Sequence, residues 1–339
     1  MGSARGRLST PGTTRRLACA GVLALLAACG PAANANAAAF LPGNLLVITQ
    51  EVGNYTYPSY LIEVTETGQE IQRFLIPRPG DERARDVVVD VQGRAQVYNG
   101  TFDPRLSTFD PAAGTWEHRT LDGWSCINNT TYGGIVATDL AVLVTDQMTF
   151  GPGQLPEGIV RFPLAGGPGD RPVTAKDYID LALGLDGLLY ALDAGHATDG
   201  RYVDVYDSGS LARLRTITLP FGTEIRAIAV DASGTIYGAG WNSVIYRFTP
   251  AGAIAASVPV TALGARYSGL NDIDVSPDGK LFVGCDDWGQ ALVTPASLQP
   301  GQTQVINFGW DFPTTGTFVP AQPVPVSSTG LGDLKALFR

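Results

Sequence analysis

The 339-residue chain contains few of the residues that carry clustered positive charge or reactive chemistry. Its only lysines are Lys176, Lys280 and Lys335, and it has two histidines and four cysteines. Lysine and arginine together number 23 against 32 acidic residues, a formal net charge of −9. A surface that follows nucleic-acid phosphates needs clustered basic residues, and no such cluster occurs. We therefore expect no nucleic-acid partner, and the acidic balance favours solubility.

Several catalytic motifs are also missing. The chain has no Gly-x-Ser-x-Gly, no phosphate-binding glycine loop and no Cys-x-x-Cys. His118 and His196 lie too far apart in the chain to form a histidine-rich metal site. The composition, 45% hydrophobic and 16% charged, is that of a folded globular protein and excludes disorder, collagen and coiled coil.

No apolar run beyond residue 28 reaches the eighteen or so residues of a membrane-spanning helix. Residues 1–16 are basic and residues 17–28 form an apolar run, which is typical of an export signal. Leu26-Ala27-Ala28-Cys29 resembles a bacterial lipobox, so we expect lipidation at Cys29, followed by a tether over 29–40. The alternative is cleavage after the Ala/Asn-rich stretch and secretion. Either route predicts an exported protein. With lipidation it lies in the periplasm or at the cell surface, and the lipid anchor is its only membrane attachment.

Beyond residue 40, short β-branched and aromatic runs alternate with Gly, Asp, Asn and Pro turns, and no helical spacing is convincing. Similar hairpins recur at a period near 46, with Asp139 in the turn where one glycine is missing. A period of this length with about four strands per unit is typical of a β-propeller. The sequence predicts one all-β domain over 41–339. The turn glycines are Gly43, Gly93, Gly187, Gly234 and Gly279.

The first unit lacks an inner strand, and the C-terminus offers one. Residues 329–334 resemble residues 268–273, where an inner strand begins. The sequence therefore predicts six four-stranded antiparallel blades closed by the C-terminal strand, with a Pro-rich insert at about 313–328. Closure removes exposed sheet edges. The alternative is a seventh, degenerate blade near residues 316–319.

Polar residues recur seven or eight positions before the turns and six or seven after them, which places them at one rim of the ring. Loops and strand ends at such a rim usually carry the binding groups. The alternative is that Asp and Asn there only cap backbone groups. Asp286 and Asp272 are weak candidates for catalysis. The rim candidates for ligand binding are Arg85, Asp86, Asn99, Asp146, Asp180, Asp193, Arg226, Asn271, Asp272 and Asp286.

Residues 86–94 and 271–280 resemble the inner hairpins of the gluconolactonase and senescence-marker-protein family, and more broadly NHL-repeat and streptogramin-lyase-like propellers. The resemblance implies a β-propeller. In the gluconolactonase-like enzymes it also implies a divalent cation such as calcium, held by Glu, Asn and Asp eight residues before such turns. Only Asn271 matches that ligand set, so we assign no metal or other cofactor. The equivalent positions are Arg85, Thr131, Ile179 and Arg226.

Arg85 and Arg226 instead suggest that the rim grips a carboxylate or a sugar-like ligand, since guanidinium groups form paired hydrogen bonds with carboxylates. The alternative is that each arginine pairs with a neighbouring aspartate and joins blades. Trp241 and Trp288 could stack on a sugar ring, although such residues more often pack between blades.

From these patterns we predict a monomeric binding or interaction module for a protein, glycan or small molecule. The alternative is a lactone hydrolase or a lyase that uses the same rim.

Overall fold

The computed structural model describes residues 38–51, 58–77, 83–100, 104–124, 133–146, 158–174, 176–193, 201–285, 289–309 and 311–321. Within these ranges the chain forms β-strands and one short 3₁₀ helix, Val260–Leu263. None of the helical structure in this part of the chain has the length and apolarity that a membrane span requires. The strands are β1 (Leu45–Glu51), β2 (Ser59–Val64), β3 (Glu70–Leu75), β4 (Arg83–Val89), β5 (Ala95–Gly100), β6 (Arg105–Asp110), β7 (Thr115–Arg119), β8 (Ile135–Ala137), β9 (Ala141–Asp146), β10 (Gly158–Pro163), β11 (Asp170–Thr174), β12 (Tyr178–Leu183), β13 (Leu188–Asp193), β14 (Tyr202–Asp207), β15 (Arg213–Thr218), β16 (Ile225–Val230), β17 (Ile236–Gly240), β18 (Val244–Phe248), β19 (Ile254–Pro259), β20 (Leu270–Val275), β21 (Lys280–Cys285), β22 (Gln290–Pro295), β23 (Gln304–Asn307) and β24 (Asp311–Phe318).

The strands form six four-stranded antiparallel sheets, which confirms the predicted six-bladed propeller. Blade 1 has the order β24-β1-β2-β3, and blades 2 to 6 follow as β4–β7, β8–β11, β12–β15, β16–β19 and β20–β23. The inner strands are therefore β24, β4, β8, β12, β16 and β20.

The C-terminal strand closes the ring as predicted, but a different segment supplies it. β24 pairs antiparallel with β1 from Leu45 opposite Phe318 to Glu51 opposite Asp311. Residues 311–318 belong largely to the expected Pro-rich insert and to the suggested seventh blade, so those two assignments were wrong for these residues. The segment 329–334, expected to be the closing strand, lies outside the described residues. Pro313 obscured the strand signal, although a bulge at Thr49 accommodates the irregular register.

The predicted turn glycines have the backbone conformation that the repeat requires. Gly93, Gly187, Gly234 and Gly279 have φ between 74° and 82°, where a side chain would be strained. Asp139 does not have a positive φ in the described chain, contrary to our expectation. The Thr138 hydroxyl instead accepts a hydrogen bond from the Ala141 amide at 3.0 Å and so closes this shorter turn.

The core consists of six apolar clusters, one between each pair of neighbouring blades in the described chain. Second strands such as β5 and β9 are buried at every position, so these parts of the blades are covered on both faces, whereas outer strands such as β3 and β11 alternate between exposed and half-buried residues. The cluster between blades 6 and 1 packs Phe282 and Ile306 against Leu45 and Val47. Lys280 adds an ion pair to Glu66 across the same junction, with Nζ 2.6 Å from Oε1. The ring is thus closed by packing as well as by β24.

Candidate functional site

The axis of the propeller contains two cavities separated by three aspartates. The larger, about 240 Å³, has walls of Val, Ala, Leu and Ile from the inner strands. The smaller, about 10 Å³, lies toward the beginnings of the inner strands, and we call its opening the mouth. Asp86, Asp180 and Asp272 line both cavities. We call these three residues the carboxylate ring.

Each member of the carboxylate ring reaches the inner strand of the next blade. Asp86 Oδ2 accepts a hydrogen bond from the Ile135 amide at 2.9 Å, and Asp180 Oδ2 accepts one from the Ile228 amide at 2.6 Å. Asp272 Oδ2 accepts one from the Gly316 amide at 2.8 Å. Blades 2, 4 and 6 therefore carry the acceptors, and blades 3, 5 and 1 carry the donors. The carboxylates satisfy backbone groups of short inner strands that would otherwise be buried without partners.

Thr315 connects two members of the ring. Its Oγ1 lies 2.7 Å from Asp86 Oδ1 and 2.6 Å from Asp272 Oδ2. A hydroxyl has one hydrogen, so Thr315 can donate to only one of these oxygens. The other carboxyl must be protonated and donate to Thr315 for both contacts to be hydrogen bonds. The geometry therefore holds a proton between blades 2 and 6.

The pKa values of the ring aspartates also favour a protonated carboxyl next to Thr315. Burial, together with the charges of Asp272 and Asp180, raises the pKa of Asp86 well above its usual range. Burial and the charge of Asp272 raise the pKa of Asp180. Burial raises the pKa of Asp272 to about 6, against the opposing effect of its hydrogen bonds to Thr315 and Gly316. Asp274, two residues further along β20, is half-buried, and the partial burial of its carboxyl raises its pKa.

Asp274 extends the closure of the ring. Its Oδ2 accepts hydrogen bonds from the Phe318 amide at 3.0 Å and from the Thr317 hydroxyl at 2.9 Å. Asp272 and Asp274 thus hold β24 from the side of blade 6, while β1 pairs with it on the other side. Asp274 and Thr315 were not among the site residues predicted from the sequence. Asp274 stands at the same alternating position of the strand as Asp272, a pattern that could have indicated it.

The mouth itself is lined by three residues that the sequence analysis placed there: Arg85, Arg226 and Asn271. Arg85 is 5% exposed, and its Nε donates to the Gly100 carbonyl at 3.2 Å. Arg226 is half-buried, and its guanidinium carbon lies 3.4 Å from the centre of the Trp241 ring. The structure therefore brings together six of the ten rim candidates, these three and the carboxylate ring.

Three other candidates lie at the ends of second strands and do not line the mouth. Asn99 donates to Ser107 Oγ at 2.6 Å, and Ser107 Oγ in turn lies 2.8 Å from Nδ1 of His118 on the outer strand of the blade. Asp146 accepts a hydrogen bond from Arg171 at 2.6 Å, and Asp193 accepts one from Lys176 at 2.8 Å. These contacts are within single blades, which agrees with the alternative that such residues satisfy local groups. The tenth rim candidate, Asp286, lies outside the described residues.

The mouth does not fit the divalent cation that the family resemblance implied. Of the equivalent positions, Ile179 has no donor atom, and Arg85 and Arg226 place positive charge beside Asn271. The carboxylate ring cannot substitute, because its oxygens accept hydrogen bonds from the neighbouring blades. In the described part of the chain, no group of three or more His, Cys, Asp or Glu side chains is arranged to hold a metal ion. We derive no chemistry through a metal here.

The comparisons with known proteins support the fold. No family model matches the chain, and no curated protein matches it. A solved structure of virginiamycin B lyase from Staphylococcus aureus is 11% identical, with a TM-score of 0.50 over 78% of this chain and 85% of that chain. A streptogramin B lyase structure is 12% identical, with a TM-score of 0.50 over 80% of this chain and 86% of that chain.

A chain of a nidogen/laminin complex is 11% identical, with a TM-score of 0.55 over 82% of this chain and 99% of that chain. Identities this low show a shared fold and no more. The fold and these likenesses show that the chain is a six-bladed β-propeller.

Proposed function

We propose that this protein is an exported β-propeller that binds a carboxylate-bearing ligand at the mouth. The observation that carries the proposal is the lining of the mouth. Arg85, Arg226 and Asn271 surround the opening above the carboxylate ring, and the ring aspartates accept hydrogen bonds from the next blade. Guanidinium groups held in place by packing bind carboxylates with little loss of side-chain entropy.

The export signal and the lipobox-like segment complete the proposal. Export and anchoring are inferred from residues 17–28 and Cys29, since an apolar run of this length followed by a cysteine is typical of a lipid-anchored exported protein. The propeller would then be displayed outside the cytoplasm, with the tether over 29–40 between anchor and domain. Substituting Cys29→Ala should abolish labelling by a radioactive fatty acid, and persistence of the label would remove the anchor from the proposal.

Ligand binding can be tested by thermal unfolding of the full-length protein. A panel of mono- and dicarboxylates, uronic acids and acidic dipeptides should include compounds that raise the melting temperature of the wild type, because a ligand that binds only the native state stabilises it. The shift should disappear in Arg226→Ala and Asn271→Ala. Leu214→Ala, an exposed position on the outer strand of blade 4, serves as the matched control. Binding at the mouth would be contradicted if no compound raised the melting temperature of the wild type, or if a compound raised the melting temperatures of the wild type and all variants equally.

A lyase or lactone hydrolase is the second candidate. The observation that favours it is Asp272, a buried carboxyl at the mouth with its pKa raised to about 6, which suits a general acid or base near neutral pH. The lyase neighbours share only the fold. Turnover of a streptogramin B depsipeptide or of a sugar lactone by the wild type, lost in Asp272→Asn with folding retained, would favour this candidate over binding alone.

A further inference from the structure

Beside the mouth, on the rim formed by blades 4 and 5, lie exposed aromatic side chains and two half-buried arginines. We call this surface the aromatic arc and define it by Arg201, Tyr202, Phe221, Arg226, Trp241 and Tyr267. All six lie at or just beyond strand ends of blades 4 and 5, or in the connection to blade 6. Phe221 and Tyr267 are 79% and 70% exposed, and Trp241 and Tyr202 are each 39% exposed. Exposure of four large aromatic side chains in adjacent blades is costly in water unless a partner covers them.

The arginines of the arc are already stacked on its rings. The guanidinium carbon of Arg201 lies 5.3 Å from the centre of the Phe221 ring and 5.8 Å from that of Tyr202. Arg226 lies on Trp241. In the described part of the chain, Nε of Arg201 is buried without a hydrogen-bond partner. Stacking fixes the direction of each guanidinium group before a ligand arrives.

The backbone below the arc is shaped to hold Trp241 in place. Its amide donates to the Glu224 carbonyl at 2.9 Å, and Ser243 Oγ donates to the Ser268 carbonyl at 2.6 Å. Glu224 and Ser243 both have positive φ, 49° and 65°, an uncommon conformation for residues other than glycine that is often found at binding sites. A Cβ atom on Gly269 would lie 2.3 Å from the Trp241 ring, so glycine is required for this packing.

Charge distinguishes the arc from the rest of the protein. The chain as a whole has a net charge of −9. The four connections that form the arc instead carry Arg201, Arg226 and Arg266 against a single acid, Glu224, in the segments 201–202, 219–226, 241–243 and 264–269. An anionic partner is therefore attracted to this part of an otherwise acidic protein.

The packing of Trp241 argues against a sugar stacked on it. Arg226 lies on one face of the ring, and Gly269 packs against its six-membered ring. Arginine with tyrosine, tryptophan and phenylalanine is instead the composition found at the centres of protein–protein interfaces. We propose that the aromatic arc docks an extended protein segment that carries carboxylates between apolar side chains. This rests on the proposed function, since the arc adjoins the mouth through Arg226.

Selection from a displayed library of random twelve-residue peptides on the full-length protein tests the inference. Recovered peptides should be rich in Asp, Glu and apolar residues, and binding of a synthesised peptide should weaken with salt because exposed charges are screened. Phe221→Ala and Arg201→Ala should each weaken it about tenfold or more. Gly269→Ala, which displaces Trp241 without changing charge, should also weaken binding. Ile254→Ala, with a similarly exposed side chain on blade 5, should not.

The possible failures are distinguishable. The inference is overturned if the selected peptides are neutral or basic, or if the arc variants bind the peptides as tightly as the wild type does. If their binding still requires Arg226 and Asn271 but not Phe221 or Arg201, the mouth binds ligand and only the arc is wrong. If acidic oligouronides bind and acidic peptides do not, the partner is a glycan and the protein segment is excluded. If nothing binds at either place, the proposed function fails together with the inference.

Discussion

The carboxylate ring and the aromatic arc adjoin each other but use their side chains in opposite ways. Asp86, Asp180 and Asp272 are buried and hydrogen-bonded to the next blade. Phe221 and Tyr267 are largely exposed. Polar residues near a central axis can therefore be structural, while the aromatic side chains proposed for recognition lie beside them and are exposed. Changes in the ring should alter stability, and changes in the arc should alter binding alone.

The largest effect should come from removing a member of the ring. Asp272→Ala removes the side-chain acceptor of the Gly316 and Ile273 amides and one of the two carboxylate partners of the Thr315 hydroxyl. Since each stranded buried donor costs about 1–3 kcal/mol, we expect the free energy of unfolding to fall by about 2–5 kcal/mol. Urea unfolding followed by tryptophan fluorescence measures it. A loss no larger than that of Leu214→Ala would show that Asp272 does not hold β24.

The next effect is a dependence of stability on pH that belongs to the ring. The pKa of Asp272 is raised to about 6 in the folded state, and burial also raises those of Asp86 and Asp180. The folded protein therefore binds more protons than the unfolded chain in this range, so stability falls as pH rises. The stabilisation from Asp272 is complete below about pH 4 and is lost as pH passes through about 6. The free energy of unfolding can fall by at most about 1.4 kcal/mol per pH unit for each of these carboxyl groups.

Asp86→Asn should reduce this slope, because it removes a titratable carboxyl whose pKa is raised in the folded state. Melting temperatures at half-unit steps from pH 4.5 to 8 would show it, with Phe221→Ala as a variant that keeps the wild-type slope. A wild-type melting temperature that rises steadily over this range would refute the shared proton.

The smallest effect on stability should come from the arc. Phe221→Ala and Tyr267→Ala remove side chains that are mostly in water, so the free energy of unfolding should change by about 0.5 kcal/mol or less. Circular dichroism during thermal unfolding is sufficient. A loss above about 1.5 kcal/mol would mean that these rings stabilise the native blade, and the contrast between ring and arc would disappear.

Much of the fold could be predicted because its cause is local. Glycines that recur at a regular interval indicate turns that need positive φ, and the short β-branched and aromatic runs between them indicate strands. Arg85, Asp86, Asp180, Arg226, Asn271 and Asp272 were predicted at one rim by counting along the hairpins, and the structure brings them together.

The closing strand was misplaced for a physical reason. Pro313 interrupts the usual strand pattern in β24, and a bulge in the β1–β24 pairing compensates for it. A bulge depends on the partner strand, so local propensity cannot reveal it. Arg226 and Trp241 were singled out from the sequence, but the rest of the aromatic arc was missed because its residues come from four connections that share no motif. Only exposure in the folded chain distinguishes Phe221 from a core phenylalanine.

The sequence by itself determined the six blades and the rim on which the polar residues gather, since both follow from spacing along the chain. Only the tertiary structure decided that the carboxylates bind the next blade, that Thr315 lies between two of them, and that Arg226 rests on Trp241. These facts concern residues far apart in the chain, and a hydrogen bond or a stacked pair depends on distances of a few ångströms that only the closed ring establishes.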